Sequence, residues 1–248
     1  MYKRYKKEFD YSYTYGMAIT IELLLNKIDF VEVIYIHSKI IKNSNYDLLV
    51  NLCINNKIKI IEEDKIFDML SSKENYFVIG CFKKYKEYVN IQKSNIVLVN
   101  ISNAGNFGSI IRSCKGFSIE DIIIIGNSVD KFNPNVIRAS MGAIFNVTVN
   151  YFETFNQYRE IFSNHNIYSF FLGTENYLDS IRFLSPFSLI FGSESNGLPE
   201  EYKKYGKVVS INHSKDIDSL NLSNAVSIAL YEASKNVQRN VFTSHNKR

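Results

Sequence analysis

Cysteine is scarce in this sequence, and the little there is points away from both disulfides and metal. Cys53, Cys81 and Cys114 lie far apart, without the spacing of metal ligands and among mostly apolar neighbours. They are expected to be buried free thiols in a reducing compartment. The four histidines, His37, His165, His213 and His245, are scattered, and none stands in metal-ligand spacing to a cysteine or aspartate, so no metal is expected. No apolar run is long enough to span a bilayer, which excludes a helical membrane protein. The opening MYKRYKKEFD has no apolar stretch behind its basic residues, so it does not read as a secretory signal, and the cytoplasm is the expected compartment. Internal repeats and low-complexity linkers are missing as well. Gly105-x-x-Gly108 lacks the order of a dinucleotide fingerprint and no Walker lysine follows it. No nucleophile elbow marks a Ser-His-Asp hydrolase.

What is present is an ordinary globular composition, 46% hydrophobic and 22% charged over 248 residues, enough for one large domain or two smaller ones. The net charge of +4 is compatible with an RNA or phosphate partner without being diagnostic of one. Basic residues gather at Lys3, Arg4, Lys6 and Lys7 and again at Lys83, Lys84 and Lys86, as a solvated surface or as phosphate contacts. Residues 16–27 carry a broad apolar helix pattern, followed by a β-branched run at 30–36. Helices near 45–55 and 64–70 and strands at 57–61 and 76–82 complete a small α/β unit. The polar, basic stretch 83–95 holds the expected domain boundary, giving domains 1–90 and 91–248. Beyond it, strand-like runs at 96–100, 121–125, 147–149, 167–172, 187–191 and 207–211 alternate mostly with helical patterns, and a long helix closes the chain from about 219 to 239. Such alternation predicts a parallel sheet with right-handed crossovers and helices on both faces.

Three polar blocks sit where strand-like runs turn into helices, the place where open α/β folds bind ligands. In Asn106-Phe-Gly-Ser-Ile-Ile-Arg112 the helix is expected to start at or near Asn106, a favoured N-cap, with Arg112 suited to a phosphate or carboxylate. In Gly192-Ser-Glu194-Ser-Asn-Gly-Leu198 the glycine lets a ligand approach the backbone. Glu194, just past a buried strand, needs a partner, either Arg112 or the following turn. In Ser219-Leu-Asn221-Leu-Ser-Asn-Ala225 the serine and asparagine serve as caps or as ligands to the facing loops. Capping alone is an adequate account of any one block.

Taken together and in this order, the blocks resemble the three signature motifs of the SpoU/TrmH class of SPOUT RNA methyltransferases, and the intervening NPNVIRASMGAIF (133–145) also matches the family pattern. The resemblance covers about 93–240. Residues 1–90 are similar, more loosely, to the family's amino-terminal substrate-binding domain, a small α/β RNA binder. The resemblance implies a SPOUT-type parallel sheet with a carboxyl-terminal trefoil knot, a homodimer, and S-adenosylmethionine as cofactor. It implies methyl transfer to a ribose 2′-hydroxyl of RNA, with ribosomal RNA of the large subunit favoured over tRNA. A non-catalytic RNA-binding or ribosome-assembly factor on the same fold is the rival. By resemblance the cofactor positions are Gly192, Ile211, Leu220 and Thr174, and the catalytic positions Asn106, Arg112, Glu194, Ser219 and Asn221. Glu194 would fix the Arg112 guanidinium. The family gives the Arg112 position the role of base. A guanidinium holds its proton so firmly that binding the neighbouring phosphate and stabilising alkoxide charge is the preferred role, with base or clamp as the two alternatives. The chain departs from the pattern at Asn103-Ala104 (usually Asp-Pro), Ser118 (usually Gly) and Asn212 (usually Pro), the last followed by His213.

Overall fold

The computed structural model describes residues 3–70 and 76–245, the last ten of these as backbone only. The chain forms two compact units, one running up to Lys86 and taking in Asp130–Asn146, the other made of Glu87–Val129 and the chain from Val147 onward.

The first unit contains strand β1 (Tyr11–Tyr15), helix α1 (Met17–Asn26), β2 (Val31–Ile36), α2 (Ser44–Asn55), β3 (Lys59–Glu62), α3 (Lys65–Leu70) and β4 (Val78–Lys83). Its sheet has the order β1-β4-β2-β3, with β2 and β3 parallel and both β4 pairings antiparallel. Side chains alternate across a strand. Val33 and Tyr35 of β2 therefore join Tyr13, Ile79 and Cys81 on one face, while Ile34 and Ile36 meet Leu24, Leu49 and Cys53 on the other. Strand β1 was not expected from the sequence. Its YSYTY alternation buries Tyr13 among apolar residues and turns Ser12 and Thr14 the other way, where the Thr14 hydroxyl meets that of Thr20 at 2.8 Å.

The expected division at 90/91 differs from the observed one, because the chain returns to this unit for Asp130–Asn146, which includes the short helix α5 (Pro134–Ala139). The physical reason is a polar and aromatic clasp. Asp130 accepts from the Tyr5 hydroxyl and pairs with Lys84 at 3.2 Å, while Phe132 packs on Phe82 and Tyr85 at ring separations of 6.2 and 5.1 Å. Lys84 is thus committed to a largely buried ion pair rather than to solvent, whereas Lys83 stays exposed beside Glu32.

The second unit contains β5 (Asn95–Val99), α4 (Ala104–Gly116), β6 (Asp121–Ile125), β7 (Thr148–Phe152), α6 (Phe155–Ile161), β8 (Asn166–Phe170), β9 (Phe187–Phe191), β10 (Lys207–Val209) and α7 (Leu222–His245). All six strands pair in parallel in the order β10-β8-β9-β5-β6-β7. Every residue of β5, β6 and β9 is buried, as expected of strands covered on both faces. Val97, Val99, Ile123, Ile125 and Ile190 pack with Phe155, Tyr158 and Phe162 on one face. The alternate residues face the other side, where α7 contacts β9 and packs along α4. From β5 the chain builds outward through β6 and β7, then returns to β8 and β9 on the opposite side of β5. The order reverses between β5 and β9, and a crevice opens beyond the carboxyl ends of such strands.

At the opposite, amino ends of the strands lies a buried polar chain. His165 bonds the Ile91 carbonyl through Nε2 at 2.9 Å and the Ser188 hydroxyl through Nδ1 at 2.8 Å, and Ser188 in turn meets Tyr158. A carbonyl only accepts, so Nε2 carries a proton. Burial, with a contribution from the Arg159 charge, holds the His165 pKa below its ordinary value. The unfolded chain therefore binds a proton that the folded chain refuses once the pH falls below about 6.5. Stability from this group is complete above that pH and is lost as the pH drops below it. The urea midpoint is expected to be lower at pH 5.5 than at pH 7.5, and His165→Gln should flatten that difference. An equal acid loss in the variant would refute the assignment.

The three cysteines are buried, and burial raises the thiol pKa of Cys53 to about 11 and pushes those of Cys81 and Cys114 up as well. Among the described residues no group of His, Cys, Asp and Glu could hold a metal ion, and no helix is long and apolar enough to cross a membrane.

Candidate active site

The crevice is a cleft of about 760 Å³ lined by the loops that follow β5, β8, β9 and β10 and by the start of α7. After β5, Asn103 rather than Asn106 caps α4. Its Oδ1 accepts the Asn106 backbone N–H at 2.9 Å, and Ala104 is the first helical residue. The expected helix start is corrected by three residues, and the correction has a chemical consequence. With the cap supplied by Asn103, the Asn106 side chain is free to act elsewhere.

It does so as the centre of a hydrogen-bond chain. Asn106 Nδ2 donates to Glu194 Oε1 at 2.9 Å, and Asn106 Oδ1 accepts from Asn221 Nδ2 at 3.1 Å. Asn221 Oδ1 accepts from the backbone N–H and hydroxyl of Ser223 at 2.9 and 2.7 Å, which anchors it to the start of α7. A carboxylate only accepts, so Glu194 fixes which end of the Asn106 amide faces it, and that choice fixes Asn221 in turn. The chain of donors has one self-consistent direction, from the α7 terminus through both amides to the carboxylate. The three sequence blocks meet here through side chains more than 80 residues apart.

Glu194 sits on a closed turn. Gly197 N–H donates to the Ser193 carbonyl at 2.9 Å and Asn196 N–H to the Ser193 hydroxyl at 3.3 Å. Gly192, at the mouth of β9, lies so close to the far side of this turn that a Cβ would meet the backbone of Gly197 and Leu198 at 2.0–2.1 Å. Glycine is required there for packing before any ligand is considered.

Seven of the nine sequence-predicted positions line the cleft: Asn106, Glu194, Ser219, Asn221, Gly192, Ile211 and Leu220. The other two do not. Arg112 is exposed on α4, six residues and so about 9 Å along the helix from Asn106. Among the described residues Arg112 makes no hydrogen bond or ion pair, so the expected Glu194–Arg112 pairing is replaced by Glu194–Asn106, for which the helix geometry brings the shorter side chain within reach. Thr174 lies off the cleft, its hydroxyl accepting from Asn176 N–H at 3.2 Å in a local turn. Sequence reasoning also passed over the apolar floor. Phe170 and Phe191, at the carboxyl ends of β8 and β9, stack at 4.2 Å and 15° within the lining. Their position as the last residues of two adjacent parallel strands was the available signal.

The profile of the SpoU rRNA Methylase family matches residues 93–231, a span that contains every residue lining the cleft. A ribosomal RNA small subunit methyltransferase G 2 from Syntrophobacter fumaroxidans is 32% identical over 141 residues, covering 56% of this chain and 27% of the relative. A 23S rRNA (uridine(2479)-2′-O)-methyltransferase from Streptomyces viridochromogenes is 27% identical over 140 residues, covering 53% of this chain and 49% of the relative. The chain thus aligns with about half or less of the length of these relatives. In fold, it is similar to the SpoU methyltransferase AviRb from Streptomyces viridochromogenes in complex with the cofactor AdoMet, with a TM-score of 0.79 at 18% identity over 93% of this chain and 91% of that one. With more than half of its length matched and the cleft wholly inside the match, the chain belongs to the SpoU rRNA Methylase family.

Proposed function

We propose that this protein transfers a methyl group from S-adenosylmethionine to a ribose 2′-hydroxyl of RNA, with large-subunit ribosomal RNA as the favoured substrate. The observation that carries the reading is the Glu194–Asn106–Asn221 chain at the rim of a cleft within the family's match. The residues present fit the cofactor. The stacked Phe170 and Phe191, with Ile211 and Leu220 in the same lining, give the cleft an apolar part, and Gly192 borders it through its backbone. Gly192, Ile211 and Leu220 would hold the cofactor, with Thr174 outside the cleft. When bound, the cofactor supplies an electrophilic methyl group on a sulfonium.

The protein's part is to place and charge-stabilise the attacking ribose. Positioning supplies much of the acceleration in an in-line displacement. Asn106 and Asn221, their amides locked by Glu194 and Ser223, present fixed polar edges for the ribose, and Ser219 adds a hydroxyl on the same loop. Arg112, exposed and without a protein partner among the described residues, would bind the adjacent phosphate and offset the developing alkoxide charge. Arg112→Lys keeps the charge and loses the planar fork, so kcat should fall roughly 10²-fold. Near-normal turnover would remove the requirement for a guanidinium.

The first unit would bind the RNA, Lys3, Arg4, Lys6 and Lys7 being exposed along its amino-terminal segment. A homodimer is supported by Ile228 and Tyr231, 41% and 55% exposed on α7, with Tyr231 edge-on to Phe117 of α4. A trefoil knot is supported by the loop after β8, which clasps the chain leaving β10 through Ser210 N–H to Asn176 O and Leu178 N–H to Ser210 O, both at 2.9 Å. Calorimetry with S-adenosylmethionine, followed by mapping of 2′-O-methylation in RNA from cells with and without the gene, tests the whole reading. No cofactor binding at millimolar concentration would favour the non-catalytic binder, and a lost signal in tRNA would move the substrate.

A further inference from the structure

The cleft lining includes a histidine with none of the roles above. His213 lies on the loop between β10 and α7, two residues beyond Ile211, where it lines the cleft. Its Nδ1 is 2.9 Å from the carbonyl oxygen of Ile211 in a partly buried contact. A carbonyl oxygen cannot donate, so Nδ1 carries the hydrogen. In a neutral imidazole this leaves Nε2 as an acceptor, and Nε2 has no hydrogen-bond partner among the described residues. The loop thus holds a hydrogen-bond acceptor next to Ile211, within the lining of the cleft.

The same ring ties down the loop. The chain enters the segment as Ile211-Asn212, without a proline to fix its backbone, and the His213–Ile211 contact closes a local turn there instead. One side chain therefore both constrains the loop and adds an imidazole to the cleft lining.

We propose that His213 is a recognition residue for the adenosyl part of the cofactor, pinning the Ile211 carbonyl with Nδ1 and accepting a hydrogen bond from the ligand at Nε2. The inference rests on the cofactor assignment made above. The adenosyl group carries donors of the required kind, an exocyclic amine and ribose hydroxyls, and His213 is the lining residue that sets an imidazole nitrogen beside Ile211.

Two substitutions separate the two nitrogens. His213→Asn keeps a donor near the position of Nδ1 and deletes the acceptor, while His213→Gln places an amide near the position of Nε2 and gives up the pin. Binding of S-adenosylmethionine to the full chain is read by calorimetry, with circular dichroism confirming that each variant is folded. His213→Asn should weaken binding about tenfold, the equivalent of one lost hydrogen bond, with the loss in turnover falling on KM for the cofactor more than on kcat. His213→Gln should bind more tightly than His213→Asn. Wild-type affinity in folded His213→Asn would overturn the proposal, as would unchanged affinity with a collapsed kcat, which would make the imidazole a proton acceptor for the RNA hydroxyl. If the unaltered protein binds no S-adenosylmethionine, the functional assignment itself fails, an outcome visible before any variant is made.

Discussion

Gly192→Ala should be a severely destabilising single methyl addition. The new Cβ would lie 2.0 Å from the carbonyl carbon and oxygen of Gly197 and 2.1 Å from the nitrogen of Leu198. All three are backbone atoms, so no rotamer change relieves the clash, and either the end of β9 or the whole turn must move. Leu198 is buried with Phe155 and Tyr202, so displacing the turn also opens the core beneath it. Overpacking typically costs about 1–3 kcal/mol, and a backbone clash belongs at the upper end. For a chain of this size that is a fall in Tm of roughly 6–12 °C. Cofactor binding should be lost as well, since the cleft and the turn share this backbone. Gly197→Ala is the control. Gly197 has φ +65° but nothing within 4 Å of where its Cβ would lie, so its substitution costs only conformational strain of about 1–2 kcal/mol. Equal melting temperatures for the two variants would mean that the close approach of Gly192 is not what limits this site.

Asn106→Asp should abolish activity while leaving the protein folded. The Asn106 amide nitrogen donates to Glu194 at 2.9 Å, and replacing it with a carboxylate oxygen sets two negative groups against each other at that range. Like charges so close disfavour joint ionisation, and one carboxyl takes up a proton or swings away. In either case the Asn221–Asn106–Glu194 chain loses its direction. Removing a single preorganised donor from an active site costs about 10²–10³ in rate, and a fall in kcat/KM of that size or more is expected at neutral pH. Stability should change little, because Asn106 does not cap α4. Asn103→Ala should behave in the opposite way, losing about 1 kcal/mol with the cap, or roughly 2–4 °C in Tm, while activity stays within a few-fold. A variant pair with these effects exchanged would return the cap to Asn106 and empty the site of its central residue.

That pair of asparagines shows how far local pattern can be read. Both are good caps by composition, three residues apart, and nothing in the sequence ranks them. The distinction arises because Asn103 has extended backbone angles, φ −83° and ψ 114°, that let Oδ1 turn back onto the helix, and those angles follow from how β5 delivers the chain. Glu194 gives the same lesson. Its need for a partner was legible, but the choice between Arg112 and another donor depended on which face of α4 meets the loop after β9. In the first unit, the short edge strand β1 was unreadable for a related reason. Its five residues are tyrosines alternating with hydroxyl residues, and their burial depends on Ser12 and Thr14 finding acceptors in other segments, the Phe132 carbonyl and Thr20 among them.

The parallel strands of the second unit were plain in the sequence, because a strand covered on both faces reads as a near-continuous apolar run, as in the four successive isoleucines Ile122–Ile125 of β6. The three polar blocks were equally plain as loops at the ends of such strands. Burial and local turn chemistry act over a few residues, and the sequence alone determines what they control. Contacts between distant segments are set by the order of strands in the sheet and by which helix face turns inward. Only the tertiary structure decided that Asp130–Asn146 belongs with the first unit, that Asn106 joins Glu194 to Asn221, and that His213 faces the cleft.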